Sequence, residues 1–232
     1  MKRFFLTGTD TDAGKTLISA ALLHRAALDG HTCFGLKPIA SGSEDTAEGL
    51  RNSDALLHQQ YSSGAIEYAI HNPITLRPAI APHIAAMQAG VELNCQSLLK
   101  ACQPGLTQKA DYQLTEGAGG WLVPLNDTET LADFAVQLAR PVILVVGLRL
   151  GSINHACLTA NAIKASGLTI AGWVANCIDP DMDAQQENLR YLTQWFAARN
   201  VEHLGTVPHL PGIDPFRPEQ MAKVAERLHW PQ

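Results

Sequence analysis

Gly8-Thr9-Asp10-Thr11-Asp12-Ala13-Gly14-Lys15-Thr16 is the stretch whose reading decides the fold. The apolar run before it, Phe4-Phe5-Leu6, predicts a strand, and Leu17-Ile18-Ser19-Ala20-Ala21-Leu22-Leu23 after it predicts a buried helix. Strand, glycine-bearing loop, Gly-Lys-Thr and helix together make a phosphate-binding loop. The first backbone N–H groups of a helix have no internal partner, and the helix dipole favours negative charge there. Gly14 lets the backbone approach a phosphate with no Cβ in the way. Lys15 offers a mobile ammonium to the terminal phosphates, and the Thr16 hydroxyl can sit on Mg²⁺. Five residues, Thr9 to Ala13, separate Gly8 from Gly14-Lys15, where the usual loop has about four. The spacing leaves two readings, a variant phosphate loop or a turn that binds nothing. The position of Gly-Lys-Thr at the helix start favours the first.

With 232 residues, the chain is read as a single α/β domain over 1–232. Hydrophobic residues make up 46% and charged residues 17%, which excludes a disordered chain. The net charge of −5, without a Lys/Arg-rich run, argues against nucleic acid as a partner. The start, Met1-Lys2-Arg3-Phe4-Phe5-Leu6, lacks the longer apolar region of a signal peptide, and no run is long enough to span a membrane. Five cysteines without a Cys-x-x-Cys predict free thiols in a reducing cytoplasm and no zinc site.

Further along, the pattern predicts a helix from Lys15 to about Asp29, ended by Gly30, and a strand over Thr32 to Leu36 closed by Lys37-Pro38. Ile39 to Gly49 reads as loop, Asn52-Ser53-Asp54 as a capped helix start, and Asn72 to His83 as proline-broken loop. Short helices follow at Ile84 to Ala89 and Gln96 to Cys102, the latter ending near Pro104-Gly105. Strands are expected at Asp111 to Thr115, Val142 to Val146, Leu168 to Asn176 and Val201 to Val207. Between and after them come helices at Thr130 to Ala139, Asn154 to Ser166, Asp183 to Arg199 and from about Pro218. Alternating strands and helices predict a doubly wound, mostly parallel α/β sheet with helices on both faces. In such sheets ligands sit at the carboxyl ends of the strands, where Gly8–Thr16, Lys37–Ser41, Glu116–Gly120, Gly147–Asn154 and Asn176 all fall.

Several groups at that edge could do chemistry. Mg²⁺ needs hard oxygen ligands, for which Thr16, Glu116 and Asp54 are candidates; Asp54 reads equally as a helix cap, and Glu116 as a solvated strand-end carboxylate. Lys37 could stabilise a transferring phosphoryl group or be a surface lysine. The Gly117-Ala118-Gly119-Gly120 turn could hold a small anion or only connect elements. Asp10 and Asp12 would lie close to phosphates, where two negative charges are odd unless one meets a cation, which points Asp12 at a substrate amine or a metal. His155 reads as structural, and no Ser/His/Asp or Cys/His set stands out.

Taken together, Gly8–Thr16, Lys37-Pro38-Ile39-Ala40-Ser41-Gly42, Asn52-Ser53-Asp54-Ala55, Glu116-Gly117-Ala118-Gly119-Gly120-Trp121, Gly151-Ser152-Ile153-Asn154-His155 and Gly172-Trp173-Val174-Ala175-Asn176 resemble the blocks of the dethiobiotin synthetase family, in the family's order, from about residue 3 to 210. The resemblance implies a P-loop NTPase fold and a cytoplasmic homodimer that acts on small molecules only, without nucleic acid or membrane. It also implies a reaction: ATP- and Mg²⁺-dependent addition of CO₂ to 7,8-diaminononanoate, through a carbamate and its phosphoric anhydride, with closure of a ureido ring. By the same resemblance, Lys37, Lys15 and Thr11 are catalytic, and Thr16, Asp54 and Glu116 surround Mg²⁺. Nucleotide contacts fall to Asp12, Ala13, Gly14, Lys15, Thr16, Leu17, Asp54, Glu116, Gly117, Ala118 and Gly119. Asn176, with Cys177, would read the adenine edge, and Pro208, His209 and Leu210 would line the base pocket. Thr11, Lys37, Ser41, Gly119 and Gly120 would hold the diamine and its carbamate, while Gly151, Ser152 and Asn154 would reach its carboxylate across the dimer interface. Two departures stand out: Asp12 replaces a frequent Glu, and beyond Leu210 the likeness fades, so a further nucleotide contact is not placed. Rival readings are a cobyrinic acid diamide synthase-like amidotransferase, for which the chain leaves little room for a glutaminase domain, and a partitioning ATPase, whose loop usually carries an additional lysine.

Overall fold

The computed structural model describes residues 1–231. In chain order the elements are β1 (Lys2–Gly8), α1 (Lys15–Leu28), β2 (Cys33–Leu36), β3 (Ile39–Ala40), β4 (Glu44–Thr46), β5 (Gly49–Arg51), α2 (Ser53–Tyr61), α3 (Tyr68–His71), β6 (Ile74–Thr75), α4 (Pro82–Gln88), α5 (Cys95–Leu106), β7 (Tyr112–Glu116), α6 (Leu131–Leu138), β8 (Val142–Leu148), α7 (Ser152–Ala165), β9 (Ile170–Cys177), α8 (Gln185–Ala197), β10 (Glu202–Val207) and α9 (Pro218–Ala225). Six strands form one parallel sheet in the order β10-β9-β8-β1-β7-β2.

The sheet is covered on both faces, and β8 shows how. Its seven residues are all buried, as an unbroken apolar run in a central parallel strand should be. Ile143 and Val145 point into the core built with α1, α2 and α9; Val142, Leu144, Val146 and Leu148 point into the core built with α5, α6, α7 and α8. The helix leaving β1 therefore lies on one face and the helix leaving β8 on the other, although these two strands are neighbours. Such a divergence opens a crevice at the carboxyl ends of the central strands.

Four local expectations are corrected. Ile39 to Gly49 is not all loop: β3 pairs with β6, and β4 pairs with β5 as a hairpin. These pieces are two or three residues long, and Glu44–Thr46 is wholly exposed, so no hydrophobic alternation marks them. Helix α5 runs through Pro104 to Leu106. A proline this late loses a single donor, and Gln113 Nε2 caps the Gly105 carbonyl at 3.0 Å. Asn72 to His83 is not all loop either: it holds β6, two residues long, and the start of α4, whose Pro82 stands at the first helical position, where a missing N–H costs nothing. Helix α7 begins at Ser152, two residues ahead of the expected Asn154, after Gly151 at φ +92°. All five cysteines are free.

Candidate functional site

The loop between β1 and α1 is shaped by its glycines. Gly14, at φ +88°, takes a conformation that side chains disfavour, and a Cβ there would run into the Asn176 amide. That amide, on β9, donates Nδ2 to Ala13 O at 3.0 Å and holds the loop from below. Asp12 is also left-handed, at φ +60°, and its side chain stands at the mouth of the cleft. It is Asp10, rather than the expected Asp12, whose carboxylate meets a cation here: Arg149, just after β8. Lys15 folds back to donate to Asp10 O at 2.9 Å. Its pKa is lowered to about 8 by burial and by the Lys37 charge, with Glu116, Asp54 and Asp12 pulling the other way.

Beside the loop lies a buried ionic cluster. Lys37 Nζ is 2.6 Å from Glu116 Oε1 and 2.8 Å from Asp54 Oδ2, and donates to Gly117 O at 3.2 Å. Lys37 is 3% exposed, which excludes the surface-lysine reading. Its backbone is clamped as well: Lys37 N donates to His71 O at 2.7 Å, and Asn72 Nδ2 donates to Lys37 O at 2.7 Å. Glu116 closes β7 with no exposed surface, so it is not a solvated strand-end carboxylate. Four donors hold it: Lys37 and Thr16 Oγ1 (3.2 Å) at Oε1, Ser19 Oγ (2.5 Å) and His58 Nε2 (2.8 Å) at Oε2. Burial works against both charges of the Lys37–Glu116 pair. Each nevertheless keeps the other ionised, holding the lysine above its ordinary pKa and the carboxyl well below the usual carboxylate range. Asn52, not Asp54, caps α2 by accepting from Asp54 N at 3.1 Å, which leaves the Asp54 carboxylate to Lys37.

These parts line one cleft of about 1020 Å³ that takes in Thr11, Asp12, Gly14, Lys15, Thr16, Lys37, Ser41, Asp54, Ala118, Gly119 and Gly120. The glycine turn after β7 lies beside the phosphate loop: a Cβ at Gly120 would be in ordinary contact with Thr9 O and Gly8 O, at 3.8 and 3.9 Å. The cleft also has an apolar lining of Ala79, Ile80, Ala81, Pro82, Leu122, Val123 and Pro124. The remaining residues singled out in the sequence do not line this cleft, Glu116 and Asn176 included: both are buried behind it. Ala13 and Cys177 are buried, and Gly117 lies under the turn. Leu17 and Leu210 pack against the core on the α1 face, where Pro208 and His209 follow β10. Gly151 and Asn154 are exposed at the start of α7, between which Ser152 is buried. The sequence reading missed Ser19, His58 and Arg149. Ser19 falls three residues after Thr16 and His58 four after Asp54, the spacings that put side chains on one helix face, so the signal was present for both.

Comparison with known proteins decides the family. A family model described as an AAA domain matches residues 2–217. The ATP-dependent dethiobiotin synthetase of Cellvibrio japonicus is 53% identical over 209 residues, covering 90% of each chain. This chain belongs to the ATP-dependent dethiobiotin synthetase family. The corresponding enzyme of Pseudomonas aeruginosa is 51% identical over 215 residues, covering 93% of each chain. One from Escherichia coli O157:H7 is 51% identical over 197 residues, covering 85% of this chain and 87% of that one. Among solved structures, the MinC:MinD cell division protein complex of Aquifex aeolicus has a TM-score of 0.55 at 15% identity, covering 97% of this chain and 88% of that one. The cell division ATPase MinD of Pyrococcus furiosus has 0.52 at 15% identity, covering 98% of both. At this identity the likeness is one of fold, a P-loop α/β sheet. No helix among the described residues is long and apolar enough to cross a membrane.

Proposed function

We propose that the cleft binds ATP and 7,8-diaminononanoate together and converts the diamine, with CO₂, to dethiobiotin, ADP and phosphate. One free amine adds to CO₂, forming an N–C bond and releasing a proton to leave a carbamate. A carbamate oxygen attacks the γ-phosphorus of ATP, and the bond to the β,γ-bridging oxygen breaks to free ADP. The second amine attacks the carbamoyl carbon of the mixed anhydride, expels phosphate, loses its proton and closes the ureido ring. Holding both amines in one pocket makes the last step intramolecular.

The observation that carries the reading is Lys37, a buried ammonium beside the phosphate loop and between two carboxylates. With the phosphates bound, Lys15 would turn from Asp10 O towards them, and Lys37 would neutralise charge on the transferring phosphoryl group. Gly14 and the following N–H groups would cradle the phosphates, and Asn176 Oδ1 would accept from the adenine amino group. Thr11, Ser41 and the Gly119-Gly120 turn would hold the carbamate, while Asp12 faces a substrate amine. The apolar lining from Ala79 to Pro82 with Leu122 and Val123 suits the alkyl chain.

The donors also suit Mg²⁺. Thr16, Asp54 and Glu116 supply hard oxygens, two of them carboxylates. That matches an ion that keeps its waters and binds through one or two carboxylates and phosphates. Held by Thr16, Asp54 and Glu116, Mg²⁺ would supply positive charge that offsets the charge of the phosphates. The exposed Gly151 and Asn154, next to Leu150 at 92% exposure, support a homodimer in which they meet the partner copy's substrate. Free thiols support a cytoplasmic site of action.

The test is an assay with labelled bicarbonate, ATP and 7,8-diaminononanoate. Label in a ureido product, dependent on the diamine and on Mg²⁺, is expected. ATP hydrolysis without label in any such product would overturn the reading.

A further inference from the structure

The two oxygens of Glu116 have different neighbours. Oε1 meets Thr16 and Lys37, both on the cleft lining; Oε2 meets Ser19 and His58, both fully buried. The helices make this division. Thr16 and Ser19 lie one turn apart on α1, and Asp54 and His58 one turn apart on α2. Each helix therefore presents one cleft group and, a turn further on, one buried donor. Ser19 Oγ and His58 Nε2 also meet each other at 2.9 Å, closing a triangle on Oε2.

We propose that Ser19 and His58 are positioning residues that pin Glu116 Oε2, so that Oε1 alone is presented to the divalent cation. This rests on the reading of Thr16, Asp54 and Glu116 as the Mg²⁺ site. Mg²⁺ tolerates little departure from octahedral geometry, and a carboxylate free to rotate would offer one oxygen, both, or follow Lys37 away. The imidazole makes its polar contacts through one nitrogen. Nδ1 is buried without a partner, so Nε2 at Ser19 and Glu116 is the whole of the ring's hydrogen bonding. With its proton on Nε2 the ring donates to the carboxylate. Leaving Nδ1 bare costs free energy that an apolar side chain would not. The strand beneath makes room for the ring, since a Cβ at Gly35 would come within 2.9 Å of His58 Cγ.

The experiment measures Mg²⁺ and Mn²⁺ binding to the full chain with ATP, by calorimetry and by Mn²⁺ paramagnetic resonance, for the parent, His58→Leu, His58→Gln, Ser19→Ala and Glu116→Gln. Groups that orient a metal ligand typically contribute about tenfold or more in affinity. His58→Leu should therefore bind Mn²⁺ about tenfold more weakly, with ATP affinity in chelator and the diamine KM unchanged. His58→Gln, whose Nε2 can donate in the same place, should recover most of the loss. Ser19→Ala, which leaves the imidazole packing in place, should weaken Mn²⁺ in the same direction. Parent-like Mn²⁺ affinity in both His58→Leu and Ser19→Ala would overturn the proposal, as would a Gln variant as weak as the Leu variant. Glu116→Gln separates the two levels. If it binds Mn²⁺ like the parent, the metal site itself is misread; if it loses Mn²⁺ while His58→Leu and Ser19→Ala do not, only the pinning fails.

Discussion

Replacing Lys37 by Met keeps the side chain's length and removes the one ammonium that touches both Asp54 and Glu116. Breaking a buried ion pair from one side leaves an uncompensated charge and destabilises by about 3–5 kcal/mol. Glu116 is fully buried, but the Asp54 side chain is 30% exposed and can be solvated in part, so the low end applies. About 3 kcal/mol in a chain of this size corresponds to roughly 6–12 °C in Tm. The loss should be greatest in chelator. Excess Mg²⁺ should return more stability to the variant than to the parent, because the ion no longer competes with an ammonium for the same oxygens. Turnover should fall by about 10²–10³-fold, the scale for removing one group that meets transition-state charge, while ATP still binds. Scanning calorimetry with and without Mg²⁺, ATP titration and the labelled-bicarbonate assay read all three. A variant that melts with the parent in chelator, or gains no more from Mg²⁺, would refute the buried-cluster reasoning. Product formed at the parent rate would refute the catalytic assignment.

Gly14→Ala forces a Cβ into a backbone at φ +88° and against the Asn176 amide; a stability loss of about 1–3 kcal/mol should come with weaker ATP binding and an unchanged diamine KM, read by urea unfolding and steady-state kinetics. Arg149→Ala breaks a half-exposed ion pair with Asp10, so stability should change by less than about 1 kcal/mol. ATP affinity should nevertheless fall, because a bare carboxylate then faces the phosphates. Adding Asp10→Asn should restore it, and a double variant as weak as the single one would count against this account. His71 is fully buried, and burial pushes its pKa down to about 4 from 6.5, with His58 adding to the effect and the hydrogen bond to Gly35 O opposing it. The unfolded chain takes up this proton as pH falls below 6.5, and the folded chain only near 4. Stability from this residue is thus whole above the unfolded pKa of about 6.5 and lost by about 3 kcal/mol on falling through that window. Urea unfolding of the parent and of His71→Phe across the window should show the shallower pH dependence in the variant.

The chain's linear order was enough to establish a good deal. Gly14-Lys15-Thr16 at the head of an apolar helix, and Val142 to Val146 as an unbroken apolar run, carry their meaning in adjacent residues. Backbone N–H groups at a helix start and burial on both faces of a strand are local consequences of local composition. The blocks around Lys37, Asp54 and Glu116 could likewise be placed at strand and helix ends, and so at one sheet edge. Their charge states and partners could not. Lys37 could be a surface lysine or meet a phosphoryl group, Asp54 a cap or a ligand, and Glu116 a solvated carboxylate or a ligand, until their mutual desolvation is known. Lys37 lies 79 positions from Glu116 in the chain, and Thr16 lies 100 from it. Only the packing of α1 and α2 over the carboxyl end of β7 brings them together. It buries Glu116 and gives its two oxygens different neighbours, while the loop after β8 brings Arg149 to Asp10. Electrostatic free energy in a protein is set by distance and desolvation, and neither is a property of sequence spacing.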